Sequence, residues 1–226
     1  MNNTTILKLI NLLDENNTQE IKEILTAELL KADKQPLKAK FFATVKKFLN
    51  DKTIINNERT QLKTIMHKHG KQFICNGIEL YVFNSNKEEL QALPQTSEEE
   101  TQIDYTTILN IDHTKLEPLN SNDIFVLENI DKYINYFKAT QQGNKDIFVP
   151  FSNYLFDTKL LKNYATIHGG DFSNIKQQKR NFAFVTSNND IESVILPLMP
   201  DESKTQKYNK IFDDFKNSLT ANNKAL

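Results

Sequence analysis

The sequence predicts an α+β protein, and three observations carry that prediction. Apolar residues recur at helical spacing near both ends, residues 71–83 alternate around an Asn-Gly corner, and a strand, helix and hairpin follow from Phe148 to Met199. Residues 4–32 read as a helical hairpin. Ile6, Leu9, Ile10 and Leu13 form one apolar series, and Ile21, Ile24, Leu25 and Leu29 form the next. Between them Asp14 to Thr18 breaks the pattern, and Asn17 followed by Glu20 resembles a capping box. Pro36 opens a third helix that runs to Leu49, since a missing N–H costs nothing in a first turn. Leu37, Phe41, Val45 and Phe48 make its apolar face, widened by Phe42 and Leu49, with Lys40, Lys46 and Lys47 opposite.

The Asn-rich segment 51–59 reads as a loop, after which the period changes to two. Gln61–Met66, Gln72–Cys75 and Ile78–Phe83 make a three-strand meander with turns at His67–Gly70 and Asn76-Gly77. Residues 84–122 read mostly as connection. A fourth helix is expected from Val126 to Thr140, with Leu127, Ile130, Ile134 and Phe137 on one face. A strand at Asp146–Phe151 and a helix from Asp157 to Ile167 follow, stopped by Gly169-Gly170. Arg180–Thr186 and Ile191–Leu198 read as a hairpin. The last helix, Lys204 to Leu219, carries Tyr208, Ile211, Phe212 and Phe215 on one side. The expected organisation is a hairpin at 1–33, a body at 34–200, and a C-terminal helix with its tail at 201–226.

Composition narrows the function classes. A formal net charge of −1 leaves nucleic-acid contact to local arrangement rather than bulk attraction. The basic residues are nearly all lysines, with Arg59 and Arg180 the two arginines, which argues against reading of base edges. Cys75 is the single cysteine, so no intramolecular disulfide forms, and its strand context marks a buried small residue. No apolar run approaches the ~20 residues of a spanning helix, and no leader pattern opens the chain. The expected location is the bacterial cytoplasm, without membrane contact.

Catalytic chemistry is not legible. His67 and His69 lie two apart at a turn and lack a third zinc ligand. His168 precedes Gly169-Gly170 at a helix end, where a cation suits the dipole. With five glycines in the chain, no phosphate-binding loop follows a strand. The expectation is a non-enzyme with no cofactor and no metal. Lysines away from the apolar faces are the positive feature: Lys40, Lys46 and Lys47, then Lys132 and Lys138, then Lys159 and Lys162. Such rows track phosphates without reading bases, or simply solvate helices.

Three short stretches carry a resemblance. Phe73-Ile-Cys-Asn-Gly-Ile-Glu-Leu80 keeps Gly77 and Leu80 of a hairpin pattern in which Asn76 replaces Asp and Glu79 replaces Arg. Tyr154-Leu155 opens a strand-to-helix passage, and Val194-Ile-Leu-Pro-Leu-Met-Pro200 closes a strand on Met-Pro. With the order of elements, residues 35–200 resemble one domain of the bacterial DNA polymerase sliding clamp (β clamp). That resemblance implies two similar halves, each with helices packed on an antiparallel sheet, the helices facing DNA. It implies a phage or prophage clamp-like protein that binds double-stranded DNA without sequence preference and tethers a replication or transcription protein. One such domain cannot close a ring alone, which leaves two alternatives, a homo-oligomer of six copies or a protein that sits on DNA, host clamp or polymerase without encircling anything. The DNA-facing candidates are Lys40, Lys46, Lys47, Lys159 and Lys162. The partner-groove candidates are Leu196, Leu198 and Met199, with core packing the competing role for Leu196. The rival expectation is a protein–protein inhibitor or decoy of a host factor that binds no DNA and docks through the N-terminal hairpin and the 204–219 helix.

Overall fold

The computed structural model describes residues 3–14, 17–51, 60–141, 146–152, 154–180, 183–198 and 202–223. The chain begins with α1 (Asn3–Asp14), α2 (Thr18–Ala32), α3 (Pro36–Leu49), β1 (Ile65–Lys68), β2 (Lys71–Cys75), β3 (Glu79–Phe83), β4 (Gln95–Thr96) and α4 (Tyr105–Leu109). It continues with β5 (Glu117–Pro118), α5 (Ser121–Thr140), β6 (Phe148–Phe151), β7 (Tyr154–Asp157), α6 (Thr158–Ile167), β8 (Lys176–Arg180), β9 (Ala183–Ser187), β10 (Ile191–Ile195) and α7 (Glu202–Asn223). The fold class is α+β with mixed strand pairing. Two compact units are present, one of 1–110 with 189–193, the other of 111–188 with 194–226.

In the first unit the expected meander forms, and local chemistry sets its turns. His69 and Gly70 both take positive φ, 50° and 71°, the combination a two-residue hairpin turn requires. The Asn-Gly corner between β2 and β3 is held by the Asn76 carboxamide, whose Oδ1 accepts from the Ile78 and Glu79 amides at 3.0 and 2.7 Å. Gly77 completes it at φ 90°, where a side chain would be strained. The first strand begins later than the period-two pattern places it. Thr60–Lys63 is a 3₁₀ turn, closed by Thr64 Oγ1 donating to the Gln61 carbonyl at 2.9 Å, so His67 lies within β1 rather than in the turn. Strand order in this unit is β4-β1-β2-β3, then β10, with β4 parallel to β1. Helix α3 packs on β3, Phe41 edge-on to Phe83 at 5.7 Å and Phe48 edge-on to Tyr81 at 5.9 Å.

The segment expected to be connection holds more structure than its composition shows. It contains β4, α4, β5 and 3₁₀ turns at Glu88–Ala92 and His113–Lys115. Side-chain caps build several of these, as where Asp104 accepts from the Thr106 amide and Asp112 from the Thr114 amide.

In the second unit α5 starts at Ser121, ahead of the expected Val126. Asn120 Oδ1 accepts from the Asp123 amide at 2.8 Å, and Asn120 Nδ2 donates to Asp123 Oδ2 at 2.7 Å. Asp157 caps α6 by accepting from the Lys159 amide at 2.8 Å. Tyr154–Asp157, where the resemblance implies a strand passing into a helix, is a strand that pairs antiparallel with β6 from Phe148↔Asp157 to Phe151↔Tyr154. The isolated contact of Leu198 N–H with the Leu155 carbonyl, 2.9 Å, extends β7 on its other side. Strand β8 has no counterpart in the sequence pattern, because Lys176–Arg180 is wholly polar and shows no apolar alternation. It pairs with β9 on one side and β5 on the other. Helix α6 rests on β9 through Tyr164, edge-on to Phe184 at 6.0 Å, its hydroxyl 3.1 Å from Thr186 Oγ1.

All four apolar residues predicted for α7 are buried. Tyr208, Phe212 and Phe215 enter an aromatic cluster with Phe125, Tyr133, Phe137 and Phe148, in which Tyr133 lies 5.7 Å from Phe212 and Phe137 stacks on Tyr208 at 5.9 Å. The Tyr133 hydroxyl donates to the Phe148 carbonyl at 2.7 Å, and burial raises this phenol well above the ordinary range. No described helix is long and apolar enough to cross a membrane.

Candidate functional site

The surface with the least ordinary chemistry belongs to α1 and α2. The sequence places Ile6, Leu9, Ile10 and Leu13 on one face, but the structure splits that series. Leu9 and Leu12 are buried, whereas Ile6, Ile10 and Leu13 are 40%, 48% and 61% exposed. At spacings of four and three, these three form a line along α1. On α2 Leu30 is buried, and Leu25 and Leu29 stand 47% and 60% exposed one turn apart. Leu37, the first residue of the predicted α3 face, is 69% exposed.

Three of the hairpin's carboxylates are engaged within the chain. Glu20 meets Lys8 at 2.6 Å, Glu28 meets Lys31 at 2.9 Å, and the largely buried Glu23 meets Lys46 at 2.7 Å. The Lys8 ammonium, hydrogen-bonded to Glu20, and the Lys31 ammonium, hydrogen-bonded to Glu28, hold those two carboxyls below the ordinary range. The cap predicted for α2 is present, Asn17 Oδ1 accepting from the Glu20 amide at 3.2 Å.

The five lysine candidates fall into two groups, Lys40, Lys46 and Lys47 on α3 in the first unit and Lys159 and Lys162 on α6 in the second. Lys40, Lys47 and Lys159 are exposed. Lys46 is half-buried against Glu23, and Lys162 is paired with Asp131 of α5. Of the partner-groove candidates, Leu196 is 40% exposed rather than in the core and Leu198 36% exposed. Met199 lies outside the described residues.

His67, His69 and His168 each have their own structural setting. His67 Nε2 is 2.8 Å from Gln95 Oε1, and His69 Nε2 is 3.7 Å from Asp104 Oδ1, so the two rings meet different partners. Among the described residues no group of three or more His, Cys, Asp and Glu is placed to hold a metal ion. His168 departs from expectation. It is buried, Nδ1 lies 3.1 Å from Asn188 Nδ2, and burial pushes its pKa down to about 3, so it is neutral and not a cation serving the helix dipole.

A groove of about 540 Å³ lies in the second unit, where the start of α5, the β6–β7 corner and α7 converge. Its floor is a closed polar network. Asp123 Oδ1 accepts from the Ser152 amide at 2.7 Å, and Ser152 Oγ is 2.8 Å from Gln177 Oε1. Those bonds hold Ser152 at φ 50°, an uncommon value for a side-chain-bearing residue. At the wall, Lys216 pairs with Asp213 at 2.8 Å and lies over the Phe212 ring.

Comparison with protein-family models, with curated proteins and with solved structures finds no match to this chain.

Proposed function

We propose that this chain works without catalysis of its own, as a protein-binding module that docks a partner through the α1–α2 hairpin. One observation carries the reading. Six large apolar side chains between residues 6 and 37 are exposed (Ile6, Ile10, Leu13, Leu25, Leu29, Leu37), against three elsewhere among the described residues (Ile108, Leu196, Leu198). Single exposed leucines are ordinary, but rows on adjacent elements resemble the anchor pattern of helices that seat in apolar grooves. The reading agrees with the inhibitor or decoy class that the composition leaves open. It is tested by capture from an extract of the source cells, with the wild type compared against an Ile10→Lys, Leu29→Lys double variant. Both positions are exposed, so folding should persist by circular dichroism while the captured partner is lost. Equal capture by both proteins overturns the reading.

A second reading, the clamp-like DNA tether, has its own support. A helix followed by three successive strands occurs twice, as α3 before β1, β2 and β3 and as α6 before β8, β9 and β10. Exposed Lys40, Lys47 and Lys159 suit phosphate contact, whereas the ion pairs of Lys46 and Lys162 reduce what those two offer.

A further inference from the structure

We infer that Asn76-Gly77 is a deamidation site that folding closes, and that the product destabilises the corner it came from. It is the one Asn-Gly pair in the sequence. A glycine has no side chain to hinder its own amide, so the carboxamide before it is the most reactive kind. The Gly77 nitrogen attacks Asn76 Cγ, an N–Cγ bond forms, the Cγ–Nδ2 bond breaks, and Nδ2 leaves as ammonia with the Gly77 amide proton. Water then opens the five-membered imide at either carbonyl, leaving an aspartyl or an isoaspartyl residue.

The folded corner withholds both reacting groups. Asn76 is 2% exposed, and three hydrogen bonds fix its carboxamide. Oδ1 accepts from the Ile78 and Glu79 amides, and Nδ2 donates to Glu79 Oε2 at 3.2 Å. The Gly77 N–H donates to Cys75 Sγ, 3.4 Å away. Attack requires this amide to lose its proton and the carboxamide to turn toward it, which breaks bonds on both sides. The reaction therefore runs through opened chains, at a rate set by how often the hairpin opens.

Glu79 decides what the product does. It is 1% exposed, and its Oε1 accepts from the Tyr81 hydroxyl at 2.7 Å. A carboxylate in place of the Asn76 carboxamide keeps the two amide bonds but turns an acceptor, not a donor, toward Glu79 Oε2. Two buried carboxylates at hydrogen-bond distance are unfavourable. An isoaspartyl link also lengthens the backbone between Cys75 and Leu80, which pair across β2 and β3.

The experiment is peptide mass mapping of the full chain, held folded at neutral pH or unfolded in urea. The tryptic peptide 72–87 should gain one dalton at Asn76, at least about tenfold more slowly in the folded chain. Equal rates overturn the protection, and no gain in urea overturns the site. For the product, urea midpoints are compared for Asn76→Asp in the wild-type chain and in a Glu79→Gln background. Asn76→Asp should lower the midpoint or abolish folding in the wild-type chain. The loss should shrink with Glu79→Gln, whose carboxamide supplies a donor to the new carboxylate. An equal loss in both backgrounds, or no loss in either, overturns the part assigned to Glu79.

Discussion

His168 shows how burial decides a residue's role. On unfolding its imidazole regains a value near 6.5, while in the folded chain burial holds it at about 3. Between those values the unfolded chain binds a proton that the native chain does not. The native state therefore has the full contribution above pH 6.5 and loses stability as pH falls toward 3, by at most about 1.4 kcal/mol per unit. At pH 5 the loss attributable to this ring is roughly 2 kcal/mol. Urea denaturation at pH 7 and pH 5 checks it, with His168→Gln keeping a polar group for Asn188. The variant should be less stable at pH 7 yet show a shallower pH dependence than the wild type. Identical dependence in both would show that other groups set the slope. The sequence gives no hint of this, because a histidine before two glycines looks the same whether the helix end faces water or Tyr164, whose ring centroid is 4.3 Å away.

At the scale of elements, α7 and α1 make a contrast that stability measurements separate. Phe212 is buried among Phe125, Tyr133 and Phe215, so Phe212→Ala should cost about 3–5 kcal/mol through lost contacts and a residual cavity. Leu13, 61% exposed, should tolerate alanine within about 0.5 kcal/mol, and denaturant midpoints of the two variants check both values. Asn120→Ala should fall between them, near 1 kcal/mol, through loss of the α5 cap. Equal costs for Phe212→Ala and Leu13→Ala would mean that the hairpin surface is packed in solution. The same contrast explains what the sequence made legible. The period of α7 matches its buried face because one cluster of rings receives Tyr208, Phe212 and Phe215, and Ile211 is buried beside them in the spacing. In α1 periodicity located the helix but rotated its contact face, since Ile6 and Leu9 satisfy helical spacing equally and only tertiary packing selects Leu9 and Leu12. Strand β8 is not legible because polar Lys176–Arg180 has no alternation to detect, whereas the Tyr154-Leu155 passage into a helix points to β7. The exposed apolar rows were thus visible as residues and invisible as a surface.

For the molecule as a whole, charge separates the two functional readings. A DNA tether relies on a cationic field, yet the chain carries a net charge of −1 and two of its five candidate lysines are matched by Glu23 and Asp131. Pairing of that kind lowers what a lysine offers a phosphate, strongly for the half-buried Lys46 and slightly for the exposed Lys162. The protein-docking reading therefore predicts that light scattering gives the same mass with and without a DNA duplex at moderate salt. The tether reading predicts a DNA-dependent mass whose salt slope flattens in a Lys40→Glu, Lys159→Glu variant, equally at every sequence. Both positions are exposed, so the variant tests phosphate contact with little expected effect on packing. A duplex that shifts the wild type and not the variant would overturn the preference for protein docking and move the functional surface from α1 and α2 to α3 and α6. An indifferent wild type would leave the apolar rows of the hairpin as the surface to map, with Ile10 and Leu29 first.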